Sequence, residues 1–181
     1  MTCASFEHRV ATRCQLAIRP LRPVFLFTFH AYRSWREDDP RGFVQRCAPG
    51  IQPPREGLAR HRAGTATHEP VTFNADQQDL LLAAAREICN RRNWRCHAVA
   101  ATPTHVHVLL SWRGFLPVQQ TVATIKRLLG LALSRHAGSA GHRWFSRGSD
   151  TKQVRDRKHL DCLIEQYLPK HVREGGRFRR E

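Results

Sequence analysis

The chain has 181 residues, 30 of them Lys or Arg against 15 Asp or Glu, a formal net charge of +15 before any of its 11 histidines protonates. That length suits one folded domain with a core of its own, and so large a positive excess favours polyanionic partners, nucleic acid first among them. No run approaches the roughly 18 apolar residues of a membrane span, no secretory leader opens the chain, and the six cysteines include no C-x-x-C pair, which argues against a zinc ribbon or a disulfide framework and fits a reducing cytoplasm.

Residues 1–23 are arginine-rich and acid-poor and read as a poorly ordered basic arm. Val24-Phe25-Leu26-Phe27-Thr28-Phe29, dense in β-branched and aromatic side chains, predicts the first strand. From about residue 46 to residue 70 the chain is rich in Pro, Gly and Arg without periodicity, so a structureless loop insertion is expected there. Asn74 or Asp76 can cap a helix over Gln77–Asn90, whose Leu80, Leu81, Ala84 and Ile88 recur at helical spacing. Trp94–Ala101 predicts a second strand, and Thr102-Pro103-Thr104 is the turn into a third, Thr104–Leu110.

A second helix is predicted to begin near Pro117, carrying Val118, Val122, Ile125, Leu128, Leu129 and Ala132 on one side. After the glycine-containing stretch His136–His142 and Arg143-Trp144-Phe145-Ser146-Arg147-Gly148, a short strand is predicted at Thr151–Val154 and a last helix at Arg157–Leu168. The order β-α-β-β-α-β plus one helix predicts an α+β, ferredoxin-like antiparallel sheet with helices on one face and an extra C-terminal helix.

Within the third predicted strand, His105 and His107 are two residues apart and project to the same face, separated by roughly the 7 Å strand repeat. Two imidazoles so placed can hold a divalent metal and leave positions open for substrate oxygens. Tyr167, on the last helix, can act as a nucleophile on phosphorus if a cation stabilises its anion. His171 lies one helical turn further on, where it can complete a metal shell, although Pro169 is expected to end or kink the helix between them. The other tyrosine, Tyr32, and the nearby Trp35 are expected to pack locally or to contact a base. Lys126, Arg127, Arg147, Lys152 and Lys170 are candidate phosphate contacts.

Taken together these blocks resemble the HUH-class single-tyrosine transposases, of the insertion-sequence type and its REP-associated relatives. Thr102-Pro103-Thr104-His105-Val106-His107-Val108-Leu109-Leu110 resembles their metal-binding strand, with Thr102 and Thr104 in place of the usual Met and Asn. Thr28-Phe29-His30-Ala31-Tyr32-Arg33-Ser34-Trp35, Trp144-Phe145-Ser146-Arg147-Gly148 and Tyr167-Leu168-Pro169-Lys170-His171 resemble further blocks of one branch. The resemblance implies a transposase-like catalytic domain over residues 24–178, followed by a basic tail, 179–181. It implies cleavage and rejoining of single-stranded DNA beside imperfect hairpins, with Tyr167 forming a 5′-phosphotyrosine link and Mg²⁺ or Mn²⁺ on His105, His107 and His171. Many members act as homodimers, and DNA binding would place the protein on the nucleoid. A nucleic-acid-binding relative without catalysis is the alternative reading of the same residues.

Overall fold

The computed structural model describes residues 23–40, 42–45 and 48–181. The expected basic arm, but for its last residue, lies outside the described residues. In chain order the elements are β1 (Val24–His30), β2 (Phe43–Val44), β3 (Ile51–Gln52), α1 (Glu56–Gly64), α2 (Ala75–Arg91), β4 (Arg95–Ala101), β5 (His105–Ser111), α3 (Val118–His136), β6 (Asp150–Gln153), α4 (Arg157–Cys162), a π-helical turn (Leu163–Tyr167), a 3-10 segment (Pro169–Glu174) and β7 (Arg177–Arg180).

Five strands pair antiparallel in the order β6-β1-β5-β4-β7. The first four follow from two split β-α-β units, each of which leaves room for one strand between its own pair. The α+β, ferredoxin-like expectation therefore matches the architecture, and β7 extends it by one edge strand. Strand alternation divides the sheet's side chains between two layers. Phe25, Phe27, Phe29, Val106, Val108 and Leu110 point towards α2 and α3 and join Leu81, Ala85, Ile125, Leu129 and Leu133. Leu26, Ala98, Ala100 and Leu109 point the other way and meet Leu163, Ile164 and Leu168 of the C-terminal segment. Both faces of β5 are thus covered, which is why every residue of it after His105 is buried.

Local rules set the boundaries of α2. Asn74 Oδ1 accepts the Gln77 N–H at 2.8 Å, and Gln77 Oε1 accepts the Asn74 N–H at 3.1 Å. This reciprocal cap satisfies two otherwise orphaned donors, and the Asn contributes about 1 kcal/mol. Pro117 immediately precedes α3, as expected.

Three expectations need correction. The stretch from 46 to 70 is not structureless: it carries β3, which pairs with β2 just ahead of the stretch, and α1. Gly42, at φ +82°, allows the close approach of the two hairpin strands, because a Cβ there would lie 2.4 Å from the Gln52 carbonyl oxygen. Residues 179 and 180, expected in a tail, belong to β7, where the otherwise open edge of β4 supplies backbone partners. Finally, the last helix is regular only to Cys162. The chain then widens into a π turn, closed by the Leu168 N–H on the Leu163 carbonyl, and tightens to a 3-10 segment that starts at Pro169. Pro169 has no N–H to continue the α-helical ladder.

Candidate metal centre and active-site cleft

The register of β1 against β5 sets His105 opposite His30 and His107 opposite Thr28. Both β5 histidines stand on the face covered by the C-terminal segment, beside Leu109 and Leu26. Their ring centroids are 4.7 Å apart at an 80° interplanar angle, so the rings lean together from the wider strand repeat. The 3-10 segment brings His171 onto the same spot, with its ring centroid 5.2 Å from that of His105 and 4.7 Å from that of His107. One potential ligand nitrogen from each of the three lies within 4.8 Å of the others.

Each imidazole is held from behind through Nδ1. His107 Nδ1 lies 2.8 Å from Thr28 Oγ1, and His105 Nδ1 lies 3.0 and 2.9 Å from the hydroxyls of Thr102 and Thr104. His171 Nδ1 lies 2.8 Å from Glu174 Oε2. An ionised carboxylate only accepts, so His171 carries a proton on Nδ1, and it is Nε2 that is left to meet a ligand. His107 Nε2 and His171 Nε2 are both buried with no hydrogen-bond partner. Leaving a buried polar atom unsatisfied costs about 1–3 kcal/mol, and a metal cation would satisfy both of these ring nitrogens at once.

Burial, reinforced by the neighbouring histidines, lowers His105 to about 4 and His107 to about 2. Both are therefore neutral near pH 7, the form in which imidazole binds a metal. The residues present thus fit a divalent ion in donor chemistry, orientation and protonation. An all-imidazole set is also compatible with metals other than Mg²⁺ and Mn²⁺.

Tyr167 ends the π turn, with its ring centroid 5.5 Å from that of His107 and 5.3 Å from that of His171. The expected nucleophile and all three expected ligands therefore come together within one chain. Lys170 Nζ lies 4.4 Å from the Tyr167 ring centroid, a cation–π contact. Burial raises the phenol above its ordinary range, while the Lys152 charge opposes that shift. The tyrosine borders a cleft of about 730 Å³ with Thr28, His30, Trp35, His105, His107, Arg147 and Lys152 along its walls.

Of the five expected phosphate contacts, Arg147 and Lys152 line this cleft and Lys170 stands beside Tyr167. Lys126 is half-buried, and its ammonium donates to the carbonyls of Ser146 and Gly148, so it fixes the loop that presents Arg147. Arg127 is exposed on α3 and does not line the cleft. Tyr32 packs locally, with the Arg143 guanidinium 5.4 Å from its ring centroid and His68 edge-on at 6.1 Å. Thr28 and Glu174, which hold the His107 and His171 rings through Nδ1, escaped the sequence reading. Glu174 had a signal in its spacing of three residues from His171; Thr28 is identifiable only once the β1–β5 register is known.

No protein-family profile matches this chain, and no curated protein matches its sequence. Among solved structures, a REP-associated tyrosine transposase bound to a REP hairpin is similar in fold, with a TM-score of 0.49 and 12% identity over 86% of this chain and 70% of that one. A candidate transposase of Deinococcus radiodurans R1 has a TM-score of 0.45 and 12% identity over 92% of this chain and 98% of that one.

Proposed function

We propose that this chain is a metal-dependent, tyrosine-nucleophile strand transferase that cleaves and rejoins single-stranded DNA beside imperfect hairpins. The observation that carries the reading is the position of Tyr167 against the histidine centre, its ring centroid 5.5 Å from His107 and 5.3 Å from His171. A divalent ion, Mg²⁺ or Mn²⁺, held by His105, His107 and His171 would supply positive charge to the phosphate oxygens. Arg147 and Lys152 add charge along the cleft that the strand would follow.

The Tyr167 phenol oxygen forms the new bond to phosphorus and gives up its proton. The bond from phosphorus to the 3′ oxygen breaks, and that oxygen leaves as a 3′-hydroxyl after taking up a proton. The 5′-phosphotyrosine link conserves the phosphoester, so a later 3′-hydroxyl can displace Tyr167 without an external energy source. The resemblance of the sequence blocks supports the hairpin-flanked substrate, and with it a homodimer that brings two cleavage sites together on the nucleoid.

The test uses labelled single-stranded oligonucleotides copied from palindrome-bearing DNA on either side of the coding region, incubated with Mg²⁺ or Mn²⁺. An adduct that survives SDS and disappears in Tyr167→Phe is the expected result. Cleavage with no covalent intermediate would instead indicate attack by water and would remove Tyr167 from the reaction. Salt-sensitive binding of the same oligonucleotides with no cleavage by the intact protein would favour a binding protein over a transferase.

A further inference from the structure

Trp35 is the most exposed of the four tryptophans, at 38%, against 9% or less for Trp94, Trp112 and Trp144. Its indole is nevertheless fixed: Nε1–H donates to the Gly42 carbonyl at 2.7 Å, and the ring centroid lies 5.5 Å from that of His30. Gly42 is in turn packed against β3, so the β2–β3 hairpin braces the indole from behind. Glu37, two residues along, is held by Arg62 of α1 and accepts the Arg55 N–H through its carbonyl. The inserted stretch thus supports a rigid, partly exposed aromatic ring at the rim of the histidine centre.

That ring stands between two hollows. One is the cleft containing His107, Tyr167, Arg147 and Lys152. The other, of about 310 Å³, is lined by His30, Ser34, Trp35, Ile51, Thr104 and His105, with no Lys, Arg, Asp or Glu among the described residues. His30, Trp35 and His105 border both. A phosphate held at the histidines has a nucleoside on each side of it. One side offers cations and the nucleophile; the other offers an apolar wall from Ile51, 65% exposed, with hydroxyls from Ser34 and Thr104 for a base edge.

We infer that Trp35 divides two nucleoside subsites flanking the scissile phosphate, stacking a base and splaying its neighbour to the other side of the indole. The inference rests on the single-stranded DNA reading of the site and adds to it which protein surface grips the bases. Stacking is sequence-tolerant, since every base has a π face, and so sets the position of the cut phosphate rather than the identity of the bases. Of the acids on the cleft wall, Glu37 is paired with Arg62 and Asp150 with Lys152, while Arg147 has no carboxylate partner among the described residues.

The experiment uses the full chain carrying Tyr167→Phe, so that binding is read without cleavage. The ligands are a ten-residue oligothymidylate and an abasic deoxyribose-phosphate strand of equal length. The oligothymidylate is expected to quench tryptophan fluorescence and to bind at least about tenfold more tightly than the abasic strand. Adding Trp35→Ala should bring its affinity down to near the abasic value, while Trp35→Phe should keep the affinity within about threefold and lose the quenching. Retained Mn²⁺ binding and the fluorescence of the three buried tryptophans show whether each variant is folded. Equal binding of the two strands, or undiminished affinity in folded Trp35→Ala, would overturn the inference and leave strand transfer standing. Base-dependent quenching by a protein with intact Tyr167 that never forms an adduct would do the reverse.

Discussion

Glu174 Oε2 lies 2.8 Å from His171 Nδ1, and this contact decides which nitrogen of His171 faces His105 and His107. The arrangement is a carboxylate–histidine pair behind an inward-pointing Nε2. The His171 bond in turn holds the Glu174 carboxyl below its ordinary range. Glu174→Ala is therefore expected to weaken Mn²⁺ binding by about 10–100-fold, and Glu174→Gln, which keeps an acceptor oxygen, by less. Titration calorimetry on both variants reads the difference; equal affinity in Glu174→Ala and the unaltered chain would remove Glu174 from the metal centre.

Tyr167→Phe should abolish the covalent adduct while leaving Mn²⁺ affinity within about twofold, because the ring that packs against the histidines is retained and the ligands are untouched. A coupled loss of metal binding would show that the hydroxyl is itself a ligand.

Chelation by EDTA should stop adduct formation, and re-added Mn²⁺ should restore it at lower concentration than Mg²⁺. The three donors at the centre are imidazoles, which suit Mn²⁺ better than the oxygen-seeking Mg²⁺. Adduct formation versus concentration of each ion measures this directly. Equal half-saturation would point to oxygen donors outside the histidine set.

Lys126→Met removes a cationic donor from the Ser146 and Gly148 carbonyls and leaves the loop carrying Arg147 tied on one side only, through Ser146 to the His30 and Ala31 carbonyls. A stability loss of about 1–3 kcal/mol is expected, read by urea titration. Single-stranded DNA should bind more weakly while Mn²⁺ binds as before. Loss of one phosphate-type contact alone would instead lower the salt dependence of binding by about one counterion.

Gly176→Ala tests how the C-terminal strand supports the centre. A Cβ at residue 176 would lie 2.6 Å from the Ala101 carbonyl oxygen and 2.7 Å from that of His171, and both are backbone atoms. The strain should cost about 1–3 kcal/mol, a melting-point drop of roughly 2–12 °C, with weakened Mn²⁺ binding as the His171 segment shifts. Thermal denaturation and calorimetry report the two effects separately.

The parts legible in the sequence are those whose residues carry their own pattern. β1 and β5 are short β-branched and aromatic runs, α2 has its cap and repeat, and His105 and His107 share a face because strand alternation requires it. Elements whose stability comes from elsewhere were not legible. α1 buries only Ala59 among the residues of its helix, and β2 and β3 are two residues each, so none of them has an amphipathic signature. β7 reads Arg-Phe-Arg-Arg, which looks like a solvated tail until the free edge of β4 is known. There Arg177 pairs with Asp79 and Arg180 with Glu165. At the site, Pro169 marked the helix interruption, but nothing local marked the five-residue π turn ahead of it.

That wide turn acts as an aiming device for Tyr167, the proposed nucleophile. One residue advances about 100° around an α-helical axis, so regular winding from Leu163 onward would carry residue 167 to a different bearing from the one that faces His107. A one-residue deletion between Cys162 and Gln166 could leave the sheet intact and the three imidazoles in place, yet turn the phenol away. Loss of reactivity in a copy of this chain would then require no change at any of the residues that perform the chemistry.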